Sequence, residues 1–142
     1  MFFNAFNTFV KAPAWQSVGL LVARLIIAAV FGMALTFKVI NISGTAAEIS
    51  GAGLPFALPL AYLAALFELL VVLAFLSGAW FREVAFLTIL YVLFLGFMFH
   101  GPSLWAGNMD EFGFFVDHFT FAAGLIALIA TGPGRFRISW GN

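Results

Sequence analysis

Between residues 57 and 77 the chain reads ALPLAYLAALFELLVVLAFLS, an apolar run interrupted by a single carboxylate, Glu68. At 1.5 Å per residue such a run crosses a hydrocarbon core of about 30 Å. An ionised side chain at that depth costs at least ~2.5–3.5 kcal/mol on insertion scales, so it turns to the interior of a bundle and needs a partner. The fold must therefore bring a second polar group to Glu68 from another helix. Ala57, Ala61, Ala64 and Ala65 form a small-residue stripe leading into it, and such stripes let helix backbones approach closely in lipid.

Three more stretches are long and apolar enough to span: about 18–40, about 84–100 ending at His100, and about 114–131 with Asp117 and His118 in its first turns. Soluble domains carry roughly a quarter charged residues. Here 8% are charged and 64% hydrophobic, and the mean hydropathy is +1.12. Ahead of the first span, Phe2, Phe3, Phe6, Phe9 and Val10 recur at helical spacing, with Asn4, Asn7, Thr8 and Lys11 on the opposite face. That pattern describes a short amphipathic helix over about 2–12 lying in the membrane interface and stopped by Pro13. The expected fold is all-α: an integral-membrane, four-helix transmembrane bundle with an N-terminal interfacial amphipathic helix, one domain over residues 1–142.

Composition also excludes whole classes of function. A net charge of zero provides no basic field for nucleic acid. The absence of cysteine removes disulfides, thiolate nucleophiles and iron–sulfur ligation. No phosphate loop, dinucleotide fingerprint or nucleophile motif is present, and Gly132-Pro133-Gly134 follows a span as a helix terminator. The side of the bundle holding both termini and the linker after the second span carries Lys11, Arg24, Arg82, Arg135 and Arg137 against Glu83. The other side carries Lys38 against Glu48, Asp110, Glu111 and Asp117, so the positive-inside rule places both termini in the cytoplasm. Trp80, Arg82 and Trp140 read as interface anchors, and Thr45 with Glu48 as a capping box in the polar connection before the second span.

Two constellations could carry chemistry. Arg24, Ala28, Phe31, Leu35 and Lys38 share one face of the first span, and Arg24 and Glu68 lie about 9 and 13 Å inside the same surface on antiparallel helices. They are expected to meet as a buried ion pair that braces the bundle, the alternative being a pair that holds a quinone head group or relays a proton, with Lys38 snorkelling to water. The second constellation, Lys38, His100, Asp117 and His118, falls at span ends near the opposite surface. Two imidazoles and a carboxylate suit a zinc, copper or iron ion, hydrogen bonding to a quinone carbonyl, or a solvated structural role. No metal is assigned among these, and nothing selects bis-histidine haem ligation.

The order of Arg24-Leu25, Lys38, Gly53-Leu54-Pro55, Ala65 to Glu68, Gly78, Arg82, His100, and the closing Gly132-Pro133-Gly134-Arg135 with Ser139 resembles the DoxX family of small four-span membrane proteins, from about residue 18 to 139. The resemblance implies a bacterial or archaeal inner-membrane subunit associated with quinone-linked oxidation or redox defence, with Arg24, Lys38, Glu68 and His100 as the site positions. Two departures favour an accessory subunit over an independent enzyme. Met33-Ala34 or Leu35-Thr36 stands where members often have His-Gly, and an extra residue separates Arg135 from Ser139. The expected function is an accessory subunit of a quinone-linked redox membrane complex, non-catalytic or quinone-contacting, with quinone as the candidate cofactor and lipid and other membrane subunits as partners. The alternative is a structural or assembly subunit with no ligand of its own.

Overall fold

The computed structural model describes residues 2–11 and 13–138, and within the first helix the side chains of Phe2, Ala5, Phe9 and Lys11 are not among those described. Ser139 and the expected anchor Trp140 lie outside the described residues. The elements run α1 (Phe2–Lys11), α2 (Pro13–Ile40), α3 (Ile42–Gly51), α4 (Ala57–Ser77), α5 (Phe81–His100), a single 3-10 turn (Pro102–Leu104) and α6 (Met109–Thr131). No strand occurs among the described residues. Helices α2, α4, α5 and α6 are long and apolar enough to cross a membrane.

Several boundaries follow from end chemistry rather than from hydropathy. Helix α2 begins at Pro13, where the missing N–H falls on a position that has no intrahelical acceptor, so the helix extends back through Trp15 and Ser17. Helix α6 begins at Met109, ahead of the expected start near residue 114, because Asp110 and Glu111 favour the positive end of the helix dipole. The connection before α4 is a helix of ten residues, capped by Asn41, whose Oδ1 accepts the Gly44 N–H at 3.0 Å. The Thr45–Glu48 capping box is therefore not formed, and Glu48 lies within the helix rather than at its start. Gly78 ends α4 with φ +77°, donating its N–H to Ala74 at 2.7 Å.

Helix α2 packs on α4, α5 packs on α6, and α4 against α5 joins the two pairs. One core cluster runs through all four, including Phe31, Val71, Phe75, Phe81, Val92 and Leu125. Ala61 and Ala65 are buried with Glu68, as the alanine stripe requires. Outward faces remain apolar, with Ile26, Leu66, Leu73 and Leu90 more than half exposed, which fits contact with lipid.

The expected Arg24–Glu68 pair does not form. Arg24 is fully buried, yet its guanidinium donates only to backbone carbonyls: Nε to Phe75 and Nη2 to Leu76, both at 2.8 Å, and Nη1 to Pro133 at 3.0 Å and to Phe136. The last carbonyls of a helix have no intrahelical donor and form the negative end of its dipole. The C-terminus of α4 therefore takes the guanidinium before Glu68, about two turns deeper, can reach it. The segment after α6 closes over the same point, where the Ile138 N–H reaches Ser77 at 2.8 Å. A Cβ on Gly78 would sit 2.8 Å from Cβ of Arg137 and 3.1 Å from Nη2 of Arg24, so only glycine fits the clasp.

Candidate functional site

The partner of Glu68 is Lys38. Its Nζ lies 2.9 Å from Oε1 of Glu68, and the Tyr91 hydroxyl donates to the same oxygen at 2.9 Å. Lys38 turns into the bundle instead of out to water because an ionised carboxylate at this depth offers more to an ammonium than the interface does. Glu68 is 1% exposed, and its second oxygen, Oε2, is buried with no hydrogen-bond partner. Tyr91 packs on Phe67 with ring centroids 4.9 Å apart, which holds the phenol against the carboxylate.

A second polar station forms where α5 ends and α6 begins. Nδ1 of His100 lies 2.7 Å from Oε2 of Glu111, and Nδ1 of His118 lies 2.6 Å from the carbonyl of Phe114, one turn back on its own helix. The two imidazoles face each other at 5.3 Å between centroids. Trp105 fixes the approach, donating its indole N–H to the His100 carbonyl at 2.8 Å. Gly96 leaves room for His118, since a Cβ there would lie 3.0 Å from that of the histidine.

Both stations border one cavity of about 840 Å³, lined by Lys38 and Tyr91 at one station and His100, Glu111 and His118 at the other. Its walls are mainly apolar, from Leu60, Leu63, Ala64 and Phe67 of α4 and Phe94, Leu95 and Phe99 of α5, while Thr45, Glu48 and Ile49 of α3 cover a further side. Tyr91 and His100 are nine residues apart on α5, or about 13 Å along its axis. Gly96, beside which His118 lies, is only five residues or about 7.5 Å from Tyr91, so Lys38 and His118 border one stretch of the same cavity. The volume lies within the range of small-ligand sites, which are mostly apolar with a few placed polar groups.

Of the residues expected at this end, the structure brings together Lys38, His100 and His118 and separates Asp117. One position from His118 is a rotation of about 100° on a helix. Asp117 consequently points outward, exposed, and lines a shallow hollow of about 360 Å³ with Ile27, Thr120, Phe121 and Gly124. Among the described residues no three His, Asp or Glu side chains converge to hold a metal ion. The sequence reading missed Tyr91 and Glu111 as site residues. A phenol in mid-span needs a buried acceptor, which is a readable signal for Tyr91. Glu111 lies seven residues before His118 and so shares its helix face, but only once α6 is begun at Met109.

These features define a small multi-pass membrane protein in which helices sharing one core enclose a mainly apolar cavity with two polar stations. The chain belongs to the DoxX family, whose profile matches residues 19–101, the segment that carries Arg24, Lys38, Glu68, Tyr91 and His100. It is 33% identical over 124 residues to inner membrane protein YqjF of Escherichia coli (strain K12), covering 87% of this chain and 91% of that protein. No solved structure matches it.

Proposed function

We propose that the protein is a bacterial inner-membrane subunit of a redox complex, with both termini cytoplasmic, that holds a quinone between its helices. The observation that carries this reading is the cavity of about 840 Å³ with apolar walls and two polar stations. A quinone ring bears oxygen atoms on opposite sides and an isoprenoid tail, and that chemistry suits two polar stations along one apolar space. Lys38 would donate to one ring oxygen, His100 and His118 would border the opposite side of the ring, and Leu63, Ala64, Phe67 and Phe94 would take the tail. Bound there, a quinone supplies two-electron carriage to partner proteins. The cytoplasmic placement of the termini rests on the charge balance between the two sides, and the inner-membrane placement on the likeness to the E. coli protein.

The expected result for short-tail ubiquinone titrated into the purified protein in lipid nanodiscs is saturable binding at one site per chain. Ala64→Trp, which fills the cavity, abolishes saturation, whereas Leu66→Trp on the lipid-facing side of the same helix leaves it intact. Equal, non-saturating uptake by all three proteins would show partition into lipid and end the quinone reading.

A second reading, assembly against another membrane subunit, is supported by Asp117. At its level α6 lies beside Gly96, four residues or about 6 Å inside the end of α5, and its carboxylate has no ion pair or hydrogen bond among the described residues. Gly113, Asp117, Thr120 and Gly124 follow one another along one outward face, and a Cβ on either glycine would meet nothing within 4 Å. A carboxylate facing lipid costs most, ~2.5–3.5 kcal/mol, at the centre of a span, and nearer the end, where Asp117 lies, the cost is a part of that. A transmembrane helix bearing a basic or hydroxyl side chain would relieve it and could approach closely over the glycines. Asp117→Leu is expected to lower the amount of higher-mass complex on native gels of the host membrane by about tenfold, while Leu66→Ala leaves it unchanged. An unaltered complex in Asp117→Leu removes this face from assembly.

A further inference from the structure

Resting on the quinone reading above, we infer that the cavity is matched to the reduced, dihydroxy form of the ring rather than to the oxidised, dicarbonyl form. The inference comes from counting the side-chain donors and acceptors left over for an occupant.

At the histidine station each imidazole has one nitrogen already engaged. The Phe114 carbonyl can only accept, so the His118 Nδ1 that lies 2.6 Å from it carries the proton. The Glu111 carboxylate likewise accepts from Nδ1 of His100 at 2.7 Å. A neutral imidazole protonated at Nδ1 has a bare lone pair at Nε2, so Nε2 is what each ring has left to offer the cavity. Glu111, the other polar side chain of that station, is also an acceptor. This station therefore receives hydrogen bonds and gives none.

The remaining hydroxyl protons are engaged as well. Thr45 donates to the Asn41 carbonyl, and Tyr91 donates to Glu68. The indole N–H of Trp105 is held by the His100 carbonyl. Among the described lining side chains Lys38 alone keeps free donors, since its ammonium has three N–H bonds and one is directed at Glu68.

An occupant must then donate at the histidine station and accept at the lysine. A hydroquinone hydroxyl does both, donating its O–H to Nε2 at one end while the oxygen at the other end accepts from Lys38. A quinone carbonyl can accept from Lys38, but at the histidine station it would set one lone pair against another. The site geometry thus separates two oxidation states of one ring by hydrogen-bond polarity, with no change of shape or charge.

The test is anaerobic equilibrium binding of ubiquinone-1 and of its hydroquinone to the purified full chain in nanodiscs at pH 8. The expected result is hydroquinone affinity about tenfold above that of the quinone, the scale of one to two hydrogen bonds gained or left unmade. His100→Asn and His118→Asn each keep an N–H in place of Nδ1 and delete one Nε2, so each narrows the affinity ratio, and the double variant brings it close to one. Far-UV circular dichroism and an unchanged SDS-unfolding midpoint establish that these variants are folded. Equal affinities in the parent protein, or tighter quinone, overturn the inference and leave the quinone reading standing. Saturable binding of neither form overturns both.

Discussion

Arg24→Met is expected to be the most damaging single substitution in the chain, lowering the stability of the bundle by at least ~4 kcal/mol. The guanidinium donates to four carbonyls, those of Phe75, Leu76, Pro133 and Phe136, from a fully buried position. Hydrogen bonds from a charged donor contribute about 1.5–3 kcal/mol each, and a methionine leaves all four acceptors without it. Arg24→Lys keeps the charge but replaces a planar, many-donor group with a point donor, so it should recover less than half of the loss. The midpoint of SDS-induced unfolding, followed by far-UV circular dichroism, measures both. A parental midpoint for Arg24→Met would mean that the clasp contributes nothing to the fold.

The next largest effect is expected at the centre of the bundle. Glu68→Leu leaves the Lys38 ammonium without its partner, and Lys38→Met leaves the Glu68 carboxylate with Tyr91 alone. Removing one member of a buried pair costs about 3–5 kcal/mol because the other charge stays behind, whereas replacing both by apolar groups is often nearly neutral. The double variant Lys38→Met/Glu68→Leu should therefore be more stable than either single variant. Unfolding midpoints of the four proteins form a complete cycle, and strictly additive losses would show that the two side chains are not coupled.

The spans were legible because length and apolarity alone determine what can cross a bilayer; residues 57–77 were bounded correctly from sequence, matching Ala57–Ser77. The other helices start earlier than hydropathy alone places them, because polar residues at a helix end look like loop. Asp110 and Glu111 belong to the first turn of α6, and Pro13 opens α2, for reasons of dipole and donor count that hydropathy does not register. The need of Glu68 for a partner was equally legible, but which cation supplies it was not. Arg24 and Lys38 share a face of α2, and the choice depends on where the free carbonyls of α4 and of residues 133 and 136 converge, which is a tertiary fact. Lys38, His100 and His118 were placed together by their common end of the bundle. Asp117 was grouped with them by depth alone, and depth carries no information about which way a helix is turned.

The Arg24 clasp also has a consequence for the order in which the protein is made. Half of its acceptors, at Phe75 and Leu76, emerge about fifty residues after it, whereas Pro133 and Phe136 lie 109 and 112 residues downstream. At a ribosomal rate of about 5–20 residues per second, the cation waits roughly 6 to 20 s inside or beside the translocation machinery before its last partners exist. A nascent chain stopped after α5 holds a guanidinium with only half its carbonyls, so completion of the C-terminal segment is sensed by a residue near the start of the first span.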